Sequence, residues 1–430
     1  MARALRGYAP EIFLSLGGIV ERAASAMLRP ANGAMGEAMN VAIALGEGRG
    51  LAGAYGAGHG ATAHLLPLGP ALAGLVYRFL APRSPAAEVI LAGWSIALSV
   101  GTYILLYCAF DHLRVPRPAR LTGLAVGMLA PAYFTAETVD FRVWEGGLAT
   151  FLAALFLERV LAAYRSVPLG ATTYPVAPIL CACTLFFVNP PLGVSAFVCL
   201  ALLGISRLPM RANITAAAVA VGMLSVPIVP WTVRNGLVLG EFVPLRSNAG
   251  LELAIANNRE MAEAADQSAA MAERLRTIHP TANPEARRQV IQFGEVAYAD
   301  ARGAESRAWI AENPVAAARL WLRHGRQMLI PDRWIIDPNH SITGGIRAFM
   351  LQAIGLGGLL GLAVLIRRSG SDGAIYPAIM VLATTLLMLP FQPVSRYTYL
   401  LYPMMCFLCA TLVSARKVRD GLGGGRGVET

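Results

Sequence analysis

The sequence predicts an all-α polytopic membrane protein with about ten transmembrane helices. Three observations carry that prediction. The 430 residues are 56% hydrophobic and only 14% charged, whereas a soluble domain carries roughly 25% charged residues. Apolar runs recur along the whole chain, and a helical span needs roughly 20 predominantly apolar residues. The basic residues concentrate in short connections between these runs, which is how orientation signals are distributed. The net charge of +10 therefore does not indicate nucleic acid, for which a basic stripe with interleaved aromatics on a polar face is expected.

The first run, Tyr8 to Leu28, is the weakest, because it contains Glu11, Glu21 and Arg22. No small-residue cleavage site follows it, so it is expected to stay in place as a span. The others are 88–110, 120–136, 143–164, 173–188, 191–206, 213–231, 345–366, 375–391 and 397–415. Asn189-Pro190-Pro191 divides two of them and reads as a tight turn between antiparallel helices. Basic residues fall at Arg3 and Arg6, at Arg114, Arg117 and Arg120, at Arg165, at Arg207 and Arg211, at Arg367 and Arg368, and at Arg416, Lys417 and Arg419. With ten spans all of these regions share one side, which the positive-inside rule makes the cytoplasm, along with both termini. The expected organisation is an amino-terminal transmembrane module 1–235 with a first outer loop at 30–82, an extracytoplasmic segment 236–344, carboxy-terminal transmembrane helices 345–416 and a cytoplasmic tail 417–430.

The candidate chemistry lies on the other side. The loop 30–82 reads as two short surface helices joined by a Gly/His turn. Glu37 stands in the first turn of the first helix, where a carboxylate either complements the helix dipole or serves as general base or metal ligand. Leu65 to Leu80, with Pro67 and Pro70, reads as an interfacial helix. His59 and His64 flank a Gly60-Ala61-Thr62-Ala63 turn; their spacing permits shared metal ligation with a carboxylate, without a tight zinc motif. Glu137 and Asp140 are three apart in a short outer turn, so on a helix they share a face and could meet Glu37. Glu145 is expected inside a span near its outer end, where an ionisable group pairs or lines a cavity. Among the outer arginines, which offer a fork suited to phosphate, Arg234, Arg246 and Arg396 are candidate substrate contacts; Arg234 and Arg396 each border a span, and an interfacial anchor is the other reading of Arg234.

The segment 236–344 begins with an extended stretch, Phe242 to Leu245, followed by expected helices at 261–278, 284–303 and 305–329, the last interrupted at Asn313-Pro314. Trp309, Ala316, Leu320 and Met328 form a candidate apolar stripe. Together they make a small helical cap. The Cys181/Cys183 and Cys406/Cys409 spacings look like metal or redox pairs, but all six cysteines fall in apolar runs, where Cys is ordinarily a small hydrophobe.

Several of these segments together resemble the GT-C glycosyltransferases, polytopic enzymes that take sugars from polyprenyl-phosphate carriers, as in the aminoarabinose and protein mannosyl transferase branches. The resemblance rests on the Glu37 helix with Ala42 to Gly50, on Gly60 to Pro70, on Pro230-Trp231-Thr232-Val233-Arg234-Asn235 with Phe242 to Leu253, and on Arg396-Tyr397 opening the final span. It covers most of the chain with loose motifs. It implies a catalytic acid in the first outer loop, which maps onto Glu37, where Asp is the commoner residue. It implies further acids in the second outer loop, which map onto Glu137 or Asp140. It implies a polyprenyl-phosphate-sugar donor, a lipid, glycan or protein acceptor and a place in a bacterial inner membrane. The cofactor is left open, a divalent metal ion being one option. The competing readings are a lipid-linked polysaccharide ligase or polymerase, in which His340 and Arg333 outrank Glu37, a membrane transporter, for which inverted repeats and broken midplane helices are expected, and an inactive scaffold of the same fold.

Overall fold

The computed structural model describes residues 7–28, 36–369 and 373–423, with 414–423 described as backbone. Arg3, Arg6, the start of the first loop and the end of the tail lie outside the described residues, as do the side chains of Arg416, Lys417 and Arg419.

The described residues form helices and loops. The first half holds α1 (Ala9–Leu28), α2 (Gly36–Gly46), α3 (Leu68–Phe79), α4 (Pro85–His112), α5 (Arg117–Leu129), α6 (Phe134–Thr138), α7 (Gly146–Ser166), α8 (Val176–Val188), α9 (Pro190–Arg207) and α10 (Met210–Leu239). The cap follows, with α11 (Ala249–Ala256), α12 (Arg259–Glu263), α13 (Gln267–Ile278), α14 (Pro284–Phe293), α15 (Glu295–Glu312), α16 (Pro314–Leu329) and α17 (Arg333–Ile336). The chain closes with α18 (Ile342–Ser369), α19 (Ile375–Met388), α20 (Ser395–Tyr399) and α21 (Tyr402–Gly423). Five helices, α4, α7, α9, α10 and α18, are long and apolar enough to cross a membrane; α8, α19 and the first half of α21 are shorter apolar helices. The protein is an all-α polytopic membrane protein.

Local chemistry sets the boundaries. Ser84 caps α4 by accepting from Ala87 N–H, and Pro85 occupies its first turn. At Asn189-Pro190-Pro191, Asn189 caps α9 by accepting from Leu192 N–H directly after α8 ends. The fifth helix ends at Leu129, ahead of Pro131, so the expected span 120–136 is shorter than its apolar run. Conversely, α10 runs on through Pro227 and Pro230 to Gly240, which takes φ 73° to end it. Most of α10 carries exposed apolar side chains, as a lipid-facing helix would.

The weak first run is a helix because two of its three charges, Glu11 and Arg22, are paired, while Glu21 is exposed. Arg22 is fully buried, donating to the carbonyls of Gly127 and Met128 at 2.9 Å and reaching Glu137 Oε2 at 2.9 Å. Glu11 pairs with Arg117 at 2.8 Å. These contacts fix α1 against α5 and α6. Hydropathy alone scores both charges as losses, while their partners offset much of the desolvation.

The short basic connections gather at the end of the bundle remote from the cap. Arg165 Nε donates to the His112 carbonyl at 2.8 Å, and Gly170 N–H donates to the Arg207 carbonyl at 2.8 Å. Gly373 stands beside Leu113, Leu161 and Tyr164.

At the other end, α2 and α3 differ from the expected surface helices in being packed tightly together. A Cβ on Gly46 would lie 2.6 Å from Tyr77 Cβ, and one on Gly74 would lie 2.6 Å from Leu45 Cβ. Glu37, Ala38, Met39, Val41, Ala42 and Ala44 are buried. The cap also departs from expectation at its glycines. The break falls at Gly294 (φ 91°), and Gly303 is interior to α15. There it lets α15 cross α11 at contact distance: a Cβ on Gly250 would sit 2.2 Å from the Ala299 carbonyl oxygen. Tyr55 of the first loop is buried in the cap's own core with Leu251, Ile255, Ile278 and Val290. The first loop is thus held between the spans and the cap.

Candidate active site

The loop after α2 is shaped by a short antiparallel bridge between Ala52 and Ala61 and is clamped from two sides. From the cap, Glu295 accepts from Thr62 Oγ1 and Ala63 N–H, both at 2.6 Å, from Ser247 Oγ at 2.8 Å, and faces His59 Nε2 at 3.3 Å. Burial opposes ionisation of Glu295, but His59 and these donors outweigh it and hold the carboxyl below its ordinary range. From the spans, Arg234 donates to the carbonyls of Leu51 and Thr62, both at 2.7 Å. His59 and Arg234 are therefore occupied in fastening the loop, and the structure does not bring either onto Glu37.

That fastening presents Glu37 to a mixed set of groups. His279, which closes α13, places Nε2 3.5 Å from Glu37 Oε1. Its Nδ1 faces Thr281 N–H at 3.3 Å and Thr281 Oγ1 at 2.7 Å. A backbone N–H can only donate, so Nδ1 is an acceptor and the ring proton of the neutral imidazole is on Nε2, toward Glu37. His64 joins Tyr55 OH through Nδ1 at 2.9 Å, and burial pushes its pKa down to about 4. Burial likewise opposes a charged Glu37. The imidazoles His64 and His279, the helix-start N–H and Arg396 outweigh it and lower its pKa. Glu252 on α11 faces the same His279 and Arg396, yet burial raises its pKa, with the Glu37 charge adding to the rise. Two carboxyls in one centre are driven in opposite directions, as in acid–base sites.

The cationic side of the centre comes from Arg396 and Arg246. Arg396 lies over the Trp144 ring, 3.9 Å from its centroid. Burial opposes its charge, while Tyr397, Glu37, Glu252 and Glu145 retain it. Arg246 is ion-paired with Glu145, which precedes α7 by one residue and so stands at the mouth of a span. Asp140 opens a one-turn helix through Arg142; burial raises its pKa against the nearby Arg396. It lines a cavity of about 670 Å³ with Tyr133, Ser395, Arg347 and the apolar Ile346 and Met350. Arg347 Nε is buried there with no hydrogen-bond partner among the described residues.

Glu137 is not part of this centre. Its Oε1 accepts from Tyr399 OH at 2.8 Å and Tyr103 OH at 3.1 Å, and its Oε2 faces Arg22. The expectation that Glu137 meets Glu37 is corrected, because the short α6 turns its side chain into the bundle while Asp140, one turn later, faces outward. Sequence reasoning missed His279, Glu252, Tyr55, Glu295 and Trp144 as members. His279 had a weak signal, standing between a helix end and Pro280. Among the described residues no three His, Cys, Asp or Glu side chains are grouped to hold a metal ion. The six cysteines are free thiols.

No protein-family model and no curated protein sequence matches the chain. Among solved structures it is similar to the archaeal oligosaccharyltransferase AglB of Archaeoglobus fulgidus, in complex with an inhibitory peptide and a dolichol-phosphate. The TM-score is 0.52 at 13% identity, over 98% of this chain and 53% of that one. The apo form of the Archaeoglobus fulgidus oligosaccharyltransferase gives a TM-score of 0.47 at 12% identity, over 98% and 52%. The chain spans about half the length of these proteins. The AglB likeness shows the fold alone: nearly the whole of this chain shares a membrane fold with about half of that protein.

Proposed function

We propose that this protein is a membrane glycosyltransferase that moves a sugar from a polyprenyl-phosphate carrier to an acceptor hydroxyl, with Glu37 as general base. The observation that carries the reading is Glu37 itself: a buried carboxylate held below its ordinary pKa range, lightly bonded, in the field of Arg396, which also acts on the cavity-lining Asp140. The acceptor hydroxyl attacks the anomeric carbon as Glu37 takes its proton. The bond from that carbon to the carrier phosphate breaks, and the electron pair leaves with the phosphate. Arg396 and Arg347 stabilise the charge that develops on the departing oxygens. Ile346 and Met350 offer an apolar wall to the first carrier units. His279 turns Nε2–H toward the Glu37 carboxylate at 3.5 Å, and a single displacement inverts the anomeric centre.

In this reading the cap faces outward from a bacterial inner membrane and both termini are cytoplasmic. The gathering of basic loops at the opposite end supports that orientation. The dolichol-phosphate bound by AglB supports a lipid-phosphate donor here. The competing ligase reading assigns the work to His340 and Arg333, which line a separate cavity. The test has two parts. Purified protein is expected to carry polyprenyl phosphate detectable by mass spectrometry, and Glu37→Gln is expected to abolish transfer in vesicles while His340→Ala retains it. Transport of a solute with no bound carrier would overturn the proposal.

A further inference from the structure

A second cavity, of about 800 Å³, opens on the cap between the starts of α13 and α17 and the carboxy-terminal half of α16. Its acids are already engaged within the protein. Asp266 Oδ1 accepts from Ala269 N–H at 3.0 Å as the cap of α13. Asp332 receives Arg326 through two bonds of 2.8 and 2.7 Å and Gln327 Nε2 at 2.7 Å. Its other cations are bonded only to neutral carbonyls. Arg333 rests on the carbonyls of His340 and Ser341 at 2.7 and 2.9 Å, and Arg323 makes one long bond, 3.4 Å, to the Met261 carbonyl. Neither forms an ion pair among the described residues. The half-buried Trp334 lies on the same wall. His340 is held there at φ 54°, a left-handed conformation that costs a non-glycine residue energy and is found preferentially at functional sites.

The position of this cavity matters as much as its lining. Helix α17 is a single turn. Its Arg333 and Trp334 line this cavity, and its Ile336 lines the cavity that contains Asp140 and Arg347. One short wall therefore separates the two.

We propose that the outer cavity binds an oxyanion carried on a sugar ring, a phosphorylated or carboxylated unit of a glycan. Arg323 and Arg333 supply forked N–H donors to the oxyanion, the geometry in which guanidinium binds phosphate and carboxylate most strongly. Trp334 supplies a flat amphipathic surface for the C–H face of the ring. The α17 wall sets a glycan held here next to the cavity that contains Asp140 and Arg347. The binding itself goes beyond the transferase reading and does not depend on it.

The experiment uses the full chain in nanodiscs of zwitterionic lipid, with ligand-observed saturation-transfer NMR. Glucose 6-phosphate and glucuronic acid are expected to give signals and glucose is not. Arg323→Gln is expected to weaken both anionic probes about tenfold, the loss of one charge-assisted contact. Trp334→Leu, which leaves every arginine contact in place, is expected to weaken the sugar probes and leave the binding of inorganic phosphate, read by phosphorus-NMR line broadening, unchanged. Glu37→Gln is expected to bind as the wild type does, which separates failure here from failure of the transferase reading. Equal signals from glucose, or anionic signals unchanged in both cavity variants, would overturn the proposal. Loss of the sugar signals when phosphatidylglycerol replaces the zwitterionic lipid would identify a lipid headgroup as the occupant and overturn it as well.

Discussion

Glu37 and Glu137 are both buried carboxylates near a cation, and their surroundings differ in one decisive way. Glu137 is enclosed: two phenols bond one oxygen, Arg22 faces the other, and Arg22 is itself spent on three backbone carbonyls. Glu37 meets His279 at 3.5 Å, and no arginine or phenol is bonded to it among the described residues. A carboxylate closed in by two phenols and a guanidinium holds helices together. One that meets a single imidazole among the described residues retains oxygens that can take a proton. The groups set around each carboxylate, more than burial or charge, separate the two roles.

The sharpest way to break that comparison is to remove each charge isosterically. Glu37→Gln is expected to lower transfer about 10²- to 10⁴-fold, the range of a lost general base, with thermal unfolding in detergent unchanged. Transfer within tenfold of wild type would place the chemistry elsewhere. Arg22→Met is expected to do the opposite. It strands Glu137 in the bundle and costs about 3–5 kcal/mol, measured as loss of folded protein on size exclusion and a lowered unfolding temperature. Adding Glu137→Gln to Arg22→Met is expected to restore much of that stability. If the double variant is no better than the single, the pair is not coupled as described.

A third carboxylate, Glu295, sharpens the distinction because it is saturated yet lies beside the candidate site. Its pKa is held below the unfolded value of about 4.3. The stability it contributes is therefore present above that value and lost as pH falls through the lower folded value. The protection of the first loop, Leu51 to His64, against hydrogen exchange, relative to an unstructured chain at the same pH, is expected to fall on that acid side in the wild type. In Glu295→Gln it is expected to be low already at neutral pH. Equal exchange in both proteins at neutral pH would show that the loop is fastened by Arg234 alone.

Much of this architecture was legible in the sequence, and the reasons it was or was not are physical. Apolar run length and the Asn189-Pro190-Pro191 turn are local properties, and both marked real boundaries. Glu37 was legible because a lone carboxylate at a helix start in an apolar, Gly-rich loop is a local anomaly. Partners were not legible. Nothing in the amino-terminal sequence says that Arg22 faces Glu137, more than a hundred residues on, so the first run looked weak and Glu137 looked like an outer acid. Likewise His279 and Glu252 reach Glu37 only through the packing of the cap. Gly303 read as a break when its lack of a side chain serves a helix crossing with Gly250. A glycine needed for close approach and one needed for a turn look alike until the partner is known.

The smallest expected effect tests how finely Glu37 is tuned. His279 is tied by Thr281 so that its Nε2–H faces the carboxylate. His279→Ala removes that donor and one of the influences that keep the Glu37 pKa low. Transfer at the optimum is expected to fall about tenfold, the scale of one polar contact to a charged group. The more telling result is the pH profile of kcat/KM. With His279 gone, Glu37 becomes easier to protonate, so the acid limb is expected to move to higher pH. A general loss of cap packing would lower the whole profile without moving that limb. His279→Gln, which can still donate an N–H, is expected to return the limb part of the way. An unmoved limb in both variants would leave Glu37 as the base and remove His279 from its tuning.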